Sequence, residues 1–460
     1  MVLPEQMRAR FLRVGSWIRH HSVEIVLAAL FGLPFAYFAG AYLEHPDPYT
    51  IYVVADHDTN EETLNIFRSK ARGYLQKIGD VYVRVQPEIL GDNTQETAEK
   101  MAADLSSRPD TLMVIGSGRS QITEKSLPIY FKASPRVPYL ATTASDDDLL
   151  KDCTAECYEW NAIPLLPQKV SFAPLLQLSP TNKIQASSAI EFAIENGKSR
   201  FIIVEGNDSQ NKSYEDDLVK EYEGAIQDAK KDGALELNKY EIDRLPDEKV
   251  LGNMKPTPDC VLYVGNLGEA QALVSQLSHM KTLDDHTLLI LSDSVIQTSP
   301  SDVQLAEGFK PEPNSKVLPL RFTHQTFASD YNRHVSTYDR DAFAIAKTLI
   351  QDLNDRGVDF RMRAKSLLHI HRVGDARRNL DRVMKENAAV RTWYAGEAET
   401  GEHPLTYIFK GHNQYNGIFH VWRLTGTDTE PGPGMEDVDH WHPGRGITSA
   451  QESAALAVRY

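Results

Sequence analysis

Cysteine is scarce in this chain: three residues in 460, at positions 153, 157 and 260. That scarcity excludes a disulfide-stapled scaffold and a cysteine-rich metal site. Cys153 and Cys157 stand four apart, a spacing that on a helix separates Cβ atoms by about 5–6 Å, whereas a disulfide needs about 3.8 Å. They form a candidate disulfide only if the segment before Trp160 and Pro164 is a loop. Cys260, in DCVLYVG, reads as a buried strand residue. Positive charge is also in deficit, with 49 Lys and Arg against 64 Asp and Glu, a net charge of -15. Phosphate contacts need clustered Lys and Arg, so nucleic acid is set aside as a partner.

Long apolar runs are absent except one. Ile25 to Leu43, IVLAALFGLPFAYFAGAYL, carries no charge and as a helix spans about 28 Å at about 1.5 Å per residue, close to the hydrocarbon thickness. Arg8, Arg10, Arg13 and Arg19 precede it, and Glu44 and Asp47 follow. The positive-inside rule then gives a basic cytoplasmic N-terminus (1–22), one transmembrane helix (23–43) and an extracytoplasmic, periplasmic remainder on the inner membrane. Ala39-Gly40-Ala41 also has the small-x-small form of a signal-peptide cleavage site. Anchor and cleaved signal sequence both stand; the length of the run favours the anchor, and no following Cys permits a lipoprotein.

What the chain has in quantity is strand ends that run into small hydroxyl residues. TLMVIGSGRS (111–120), VPYLATTAS (137–145) and RFIIVEGNDS (200–209) each read as a short buried parallel strand that opens into hydrogen-bonding groups. In open α/β sheets, ligands sit outside the carboxyl ends of strands. Strand and helix alternate from Thr50 through Leu105 and again from Ile184 to Leu291, which predicts two doubly wound parallel-sheet units. Tyr338 to Asp355 reads as a further helix. PLTYIFKGHNQYNGIFHVWRL (404–424) reads as a terminal hairpin with its turn at Asn413 to Asn416. From Thr425 on, TGTDTEPGPGMEDVD and HWHPGRG are Pro- and Gly-rich without periodicity, and 425–460 reads as a flexible tail.

The order of these segments resembles the type I periplasmic solute-binding proteins, in particular the branched-chain amino-acid and amide binders of ABC importers. VPYLATTASDDDLL resembles the family's strand, hydroxyl loop and helix, and LQLSPTNKIQASSAIEFA its first crossover. DSQNKSYEDDLVKEY resembles the tyrosine-bearing loop and helix of the second lobe, VLYVGNLGEAQALV the strand before a Glu-bearing helix start, and YDRDAFAIAKTLI the return helix. The resemblance implies an α/β fold of two lobes, 49–178 plus 320–360 and 179–319 plus 361–424. Three hinge crossovers, near Gln177 to Thr181, Leu318 to Thr323 and Ala398 to Tyr407, would join lobes that close on a small-molecule ligand.

By matched position the resemblance implies ligand contacts from Ser117, Ser120, Thr142 and Thr143 in the first lobe, and from Asn182, Tyr214 and Glu269. A zwitterion needs donors for its carboxylate and an anion for its ammonium group. Asn182 is neutral where many relatives carry Asp, which leaves the ammonium to Glu269. Asp146, Asp147 and Asp148 read as caps of a helix after Ser145 and disfavour an anionic ligand. Each site residue also has a plain structural role available: Ser117, Thr142 and Thr143 as caps, Tyr214 in packing, Glu269 at a helix N-terminus.

Enzyme motifs fail. Gly116-Ser117-Gly118 starts like a dinucleotide fingerprint, but Gln121 replaces its third glycine. His369 and His371 lack a third ligand for a metal, and His440-Trp441-His442 lies in the tail. The sequence therefore implies no catalytic set, cofactor or metal. It implies a membrane-anchored receptor for an amino acid or amide, serving an ABC permease. The rival is a regulatory module of the same fold that has lost ligand binding and acts through a membrane partner.

Overall fold

The computed structural model describes residues 49–56, 76–78, 81–116, 119–153, 159–161, 170–207, 212–230, 235–241, 257–278, 280, 283, 287–293, 317–324, 337–355, 376–384, 392–395, 406–410, 413–414, 419–424, 435–442 and 446–449. Along the first part of the chain run β1 (Tyr49–Ala55), β2 (Gln76–Ile78), β3 (Val81–Ile89), helix α1 (Gln95–Ser107), β4 (Thr111–Gly116), α2 (Ser120–Lys132), β5 (Tyr139–Ala141), β6 (Glu159–Asn161), β7 (Val170–Phe172) and β8 (Leu175–Gln177). The middle holds α3 (Asn182–Glu195), β9 (Arg200–Glu205), α4 (Lys212–Lys230), β10 (Glu236–Glu241), β11 (Cys260–Val264), α5 (Leu267–Ser278), β12 (Thr287–Leu291) and β13 (Val317–His324). The last part holds α6 (Thr337–Asp355), α7 (376–384), β14 (Thr392–Ala395), β15 (Thr406–Lys410), β16 (Asn413–Gln414), β17 (Phe419–Leu424), β18 (Met435–His442) and β19 (Gly446–Ser449).

Two large sheets result. The first has the order β14-β15-β16-β8-β5-β4-β1-β3-β2, and the second β10-β9-β11-β12-β13-β17-β18-β19; β6 and β7 form a small antiparallel pair. Strands β3-β1-β4-β5-β8 and β10-β9-β11-β12-β13 run parallel. The alternation of side chains explains why. In β1, Ile51 and Val53 enter one core while Tyr52 and Val54 enter the core on the opposite face. In β9, Phe201 and Ile203 part in the same way from Ile202 and Val204. A strand apolar on both faces needs helices on both faces, and a parallel sheet with helical connections provides them.

Both lobes are thus doubly wound, as the sequence implied, but the chain is divided between them differently. The passages between sheets fall at 177–182, as expected, then after His324 and after Gln414. β13 stays in the second sheet, paired to β12 and β17. The reason is visible in the packing. Ala342, Ile345 and Leu349 of α6, Ala376 and Leu380 of α7, and Phe409 of β15 all lie in the core of the first lobe. Arg377, buried, donates to the carbonyls of Ser106, Arg108 and Thr111. Most of the described part of 361–424 therefore belongs to the first lobe.

The expected hairpin over 404–424 does not form. β15 pairs with β14 and β16 in the first sheet, and β17 pairs with β13 and β18 in the second. Nor are the described parts of 425–460 an unstructured tail: β18 and β19 extend the second sheet, with His440 opposite His420. β18 joins through its backbone as an antiparallel edge to β17, so it needs no apolar run of its own. Asp146 to Asp148 open a turn over 147–152 rather than a helix, closed by Lys151 N–H to Asp148 O and Cys153 N–H to Leu150 O.

The predicted transmembrane span lies outside the described residues, among which no helix is long and apolar enough to cross a membrane. His369 and His371 also lie outside them, as does Cys157 and with it the candidate disulfide. Cys153 packs half-buried against the first-lobe core. Cys260 is the buried strand residue expected, its thiol pushed up by burial.

Candidate functional site at the joint between the lobes

Each sheet has a switch point where the strand order reverses, between β1 and β4 in the first lobe and between β9 and β11 in the second. Loops at the carboxyl ends of such strands form the ligand crevice of this architecture. In the first lobe, the backbone at Gly116 runs so close to the buried Tyr139 that a Cβ there would lie 1.5 Å from the ring hydroxyl, so only glycine fits. Thr142 Oγ1 donates to Gly116 O at 3.1 Å, and Ser120 Oγ accepts from Asp146 N–H at 3.2 Å. Arg119 faces Asp56 at 3.8 Å, both side chains 13% exposed. Thr143 is half-buried, and Ser117 lies outside the described residues.

In the second lobe, Glu269 lies in the first turn of α5 and turns inward. Its carboxylate accepts from Asn207 N–H (3.1 Å) and Tyr263 OH (3.3 Å), and its own N–H donates to Asn266 Oδ1. A Cβ at Gly206 would stand 2.4 Å from Glu269 Oε2, so this close seat depends on glycine. Tyr214 donates to Asp293. Asn182 is fully buried; its N–H donates to Ser145 O (2.8 Å) and its Nδ2 to Asp217 Oδ2 (2.8 Å).

The structure therefore gathers Ser120, Thr142 and Asn182 around the loop 142–148, with Tyr214 one residue beyond the joint. Glu269 is held apart, within the second lobe. The joint itself is built from residues the sequence did not single out. Ser213, in the first turn of α4, donates to Glu124 Oε1 of α2 at 2.6 Å and contacts Asp146 Oδ2 at 3.1 Å. Lys151 Nζ reaches Ser213 Oγ (2.9 Å), Glu124 Oε1 (2.9 Å) and Asp146 Oδ2 (3.5 Å). Gln177 Nε2 supports the loop through Ala144 O and Asp146 O.

Two carboxylates this buried and this close do not both ionise freely. Burial, together with its hydrogen bond to Asp146, pushes Glu124 up to about 8. Burial opposes the charge of Asp146 too, but its bonds to Glu124, the Asp148 N–H and Ser213, with the Lys151 charge, hold it below the usual range. Lys151 is held above its usual range despite burial, by Glu124 and Asp146. At neutral pH the set is Glu124 carboxyl, Asp146 carboxylate and Lys151 ammonium.

On the other side of the loop, Asp147 N–H donates to Asp217 Oδ2 (3.1 Å), and Asp147 Oδ2 accepts from Lys183 N–H (2.6 Å). Asp147, Asp217 and Glu221 each offer an oxygen within 4.8 Å of the others. Burial and the neighbouring charges of Asp217 and Glu221 push Asp147 up to about 7. Burial and Asp146 raise Asp217 as well. Glu124, Lys151 and Asp217 look like ordinary surface charges in sequence; Ser213, beside the matched Tyr214, is the one that its position could have flagged.

No family model matches the chain, and no curated protein matches it in sequence. Solved structures do match its shape. A periplasmic binding protein from Burkholderia mallei aligns over 89% of this chain and 98% of its own, with a TM-score of 0.56 at 10% identity. An ABC transporter substrate-binding protein from Desulfitobacterium hafniense, in complex with Leu, aligns over 85% of this chain and 100% of its own (TM-score 0.54, 12% identity). A structure of an ABC transporter substrate-binding protein from that organism gives 0.52 at 12% identity. The fold is that of the periplasmic substrate-binding proteins. Among the described residues, the two lobes touch where the loop 142–151 meets the starts of α3 and α4.

Proposed function

We propose that this protein is an extracytoplasmic solute receptor that closes its two lobes over a small polar molecule, an amino acid or amide, and hands it to an ABC permease or reports its capture to a membrane partner. The apolar run at 25–43 would hold it at the membrane. The observation that carries this reading is the make-up of the joint. Among the described residues, every buried apolar cluster belongs to one lobe, whereas the contacts across the joint are hydrogen bonds and ion pairs around Ser213, Lys151, Asp147 and Asp217. Polar contacts exchange with water at small net cost, whereas a shared apolar core would not, so such a joint is suited to opening and closing. Ser120, Thr142, Thr143 and Tyr214 stand beside it as the groups that would hold the solute. A protein of this fold has been solved with Leu, which supports the same solute class here. The role is binding, not catalysis.

One observation favours the rival regulatory reading. Glu269, the one group meant for an ammonium ion, and Asn182, at the matched ligand position, already bond inside the protein. The test is a thermal-shift screen of the intact chain against amino acids, amides, polyamines and sugars. A solute at ~100 times its dissociation constant adds about 2.7 kcal/mol to stability, a rise of a few degrees in a chain of this size. Such a rise from one class supports the receptor; uniform silence from folded protein supports the regulatory module.

A further inference from the structure

The segment that reads as a tail in sequence supplies the last two strands of the second sheet, and the ladder brings three of its neighbouring histidines together. His440 of β18 stands directly opposite His420 of β17. His442 follows two residues after His440 on the same strand; Gly446 of β19 stands opposite His442, and Thr448 opposite His440. Residues two apart on a strand share a face, and so do residues paired across strands. His420, His440 and His442 therefore occupy adjoining positions on one face. The irregularity in the β17–β18 ladder falls beyond Val421 and leaves this register intact.

The register also tells which face this is. Leu289 and Leu291 of β12 pack with Ala270 and Leu273 of α5 and are level with Pro319 and Arg321 of β13. Two residues further along β13, Thr323 stands opposite His420, so the histidines lie on the α5 face. On the other face, Leu288 and Ile290 pack with Ala186 and Ala189 of α3. The same ladder places Phe322, Val421, Phe419, Trp441 and Ile447 on that face, and α3 lies against both β13 and β19. The apolar positions at this level thus belong to the α3 face, and its core does not require the histidines.

We infer that His420, His440 and His442 form a binding site for a transition-metal dication, zinc in the first instance, that ties β18 to β17. Directly opposed residues have Cβ atoms about 4.5–5.5 Å apart, and residues two apart on a strand are separated by about 6.4–6.8 Å. Imidazole carries its nitrogens beyond Cβ, so three histidines at such separations can converge on one ion at about 2.0–2.1 Å per nitrogen. A His-x-His pair alone is a weak chelate; the third histidine, distant in sequence, joins it only through the ladder. Neutral imidazoles suit zinc, copper and nickel, whereas calcium and magnesium take oxygen. Zinc with three protein ligands keeps a water in its fourth position. Two ligands come from β18 and one from β17, so metal binding stabilises the pairing of a strand that lacks an apolar run of its own.

The experiment is calorimetric titration of the chelator-stripped intact chain with zinc chloride. The wild type should bind one zinc with a dissociation constant at or below about 1 μM, looser than four-ligand structural zinc. His420→Thr, His440→Thr and His442→Thr, each bringing in a residue suited to a strand, should each weaken zinc at least about tenfold, the loss that follows from disturbing even an outer partner of a metal. Replacing His369 and His371, the other closely spaced pair, with Thr should leave binding unchanged. X-ray absorption of the zinc-loaded wild type needs no variant and should show three imidazole nitrogens at about 2.0–2.1 Å. No saturable heat from the wild type up to about 100 μM zinc, a hundred times the weakest affinity expected, overturns the inference. So does zinc binding that the three single variants leave unchanged, or a metal shell with fewer than three imidazoles.

Discussion

Two acidic groups flank the loop 145–151, and they solve the same problem in different ways. Glu124 and Asp146 are each 2% exposed at the side chain and have Lys151 inserted at 2.9 and 3.5 Å. Among the described residues, Asp147, Asp217 and Glu221 have the solvated Lys220 as their cation, while Asp147 accepts from the Lys183 N–H and Asp217 from the Asp147 N–H and Asn182 Nδ2. The first group carries its own counter-charge and a proton; in the second, burial raises Asp147 to about 7, so that a proton relieves the repulsion. Both sit between the lobes, so the contact across the joint rests on a counter-charge within the chain at the first and on protonation at the second.

The sharpest way to break that contrast is to remove the internal cation. Lys151→Met should cost about 2 kcal/mol in urea unfolding at neutral pH, less than the 3–5 kcal/mol of a fully buried pair because Lys151 is 40% exposed. The loss should shrink at acid pH, where the carboxylates take protons.

Next comes the shared proton. Glu124 is raised from an ordinary carboxylate value to about 8, so the folded state holds a proton that the unfolded state gives up. Its contribution is complete below about 4 and is lost as pH rises through about 8. Wild-type stability should therefore fall by about 1 kcal/mol between about pH 7 and 9, and Glu124→Gln should flatten that slope.

Ser213→Ala removes the hydroxyl that joins the lobes and should cost about 1 kcal/mol, read in the same unfolding curves. The smallest effect separates the second group from the first: Glu221→Gln should leave stability unchanged or raise it by about 0.5 kcal/mol, because it relieves repulsion among the carboxylates and loses only the solvated Lys220.

The doubly wound lobes were legible in the sequence because their parallel strands are continuous apolar runs, as in TLLIL of β12, buried throughout. Which lobe receives each later segment was not, because α6, α7 and β15 are assigned by long-range partners such as Arg377 on the carbonyls of Ser106 and Thr111. β18 escaped for a related reason: it is an antiparallel addition whose residues, MEDVDHWH, carry no buried-strand pattern. At the site, the hydroxyls at strand ends drew attention to the loop 142–148, which lies at the joint between the lobes. Glu269 was placed at its helix start, but not its inward turn, which depends on Gly206 and Tyr263 from other elements. Glu124 and Lys151 become a pair only through the tertiary approach of α2 to the loop, and their sequence neighbourhoods carry no trace of it.

The central claim is a clamp that closes on a small solute, and small-angle X-ray scattering of the intact chain measures it most directly. With the solute that most raises the melting temperature present at saturation, the radius of gyration should fall relative to the free protein, as the population moves to the closed lobes. A radius that stays the same on saturation would contradict the clamp.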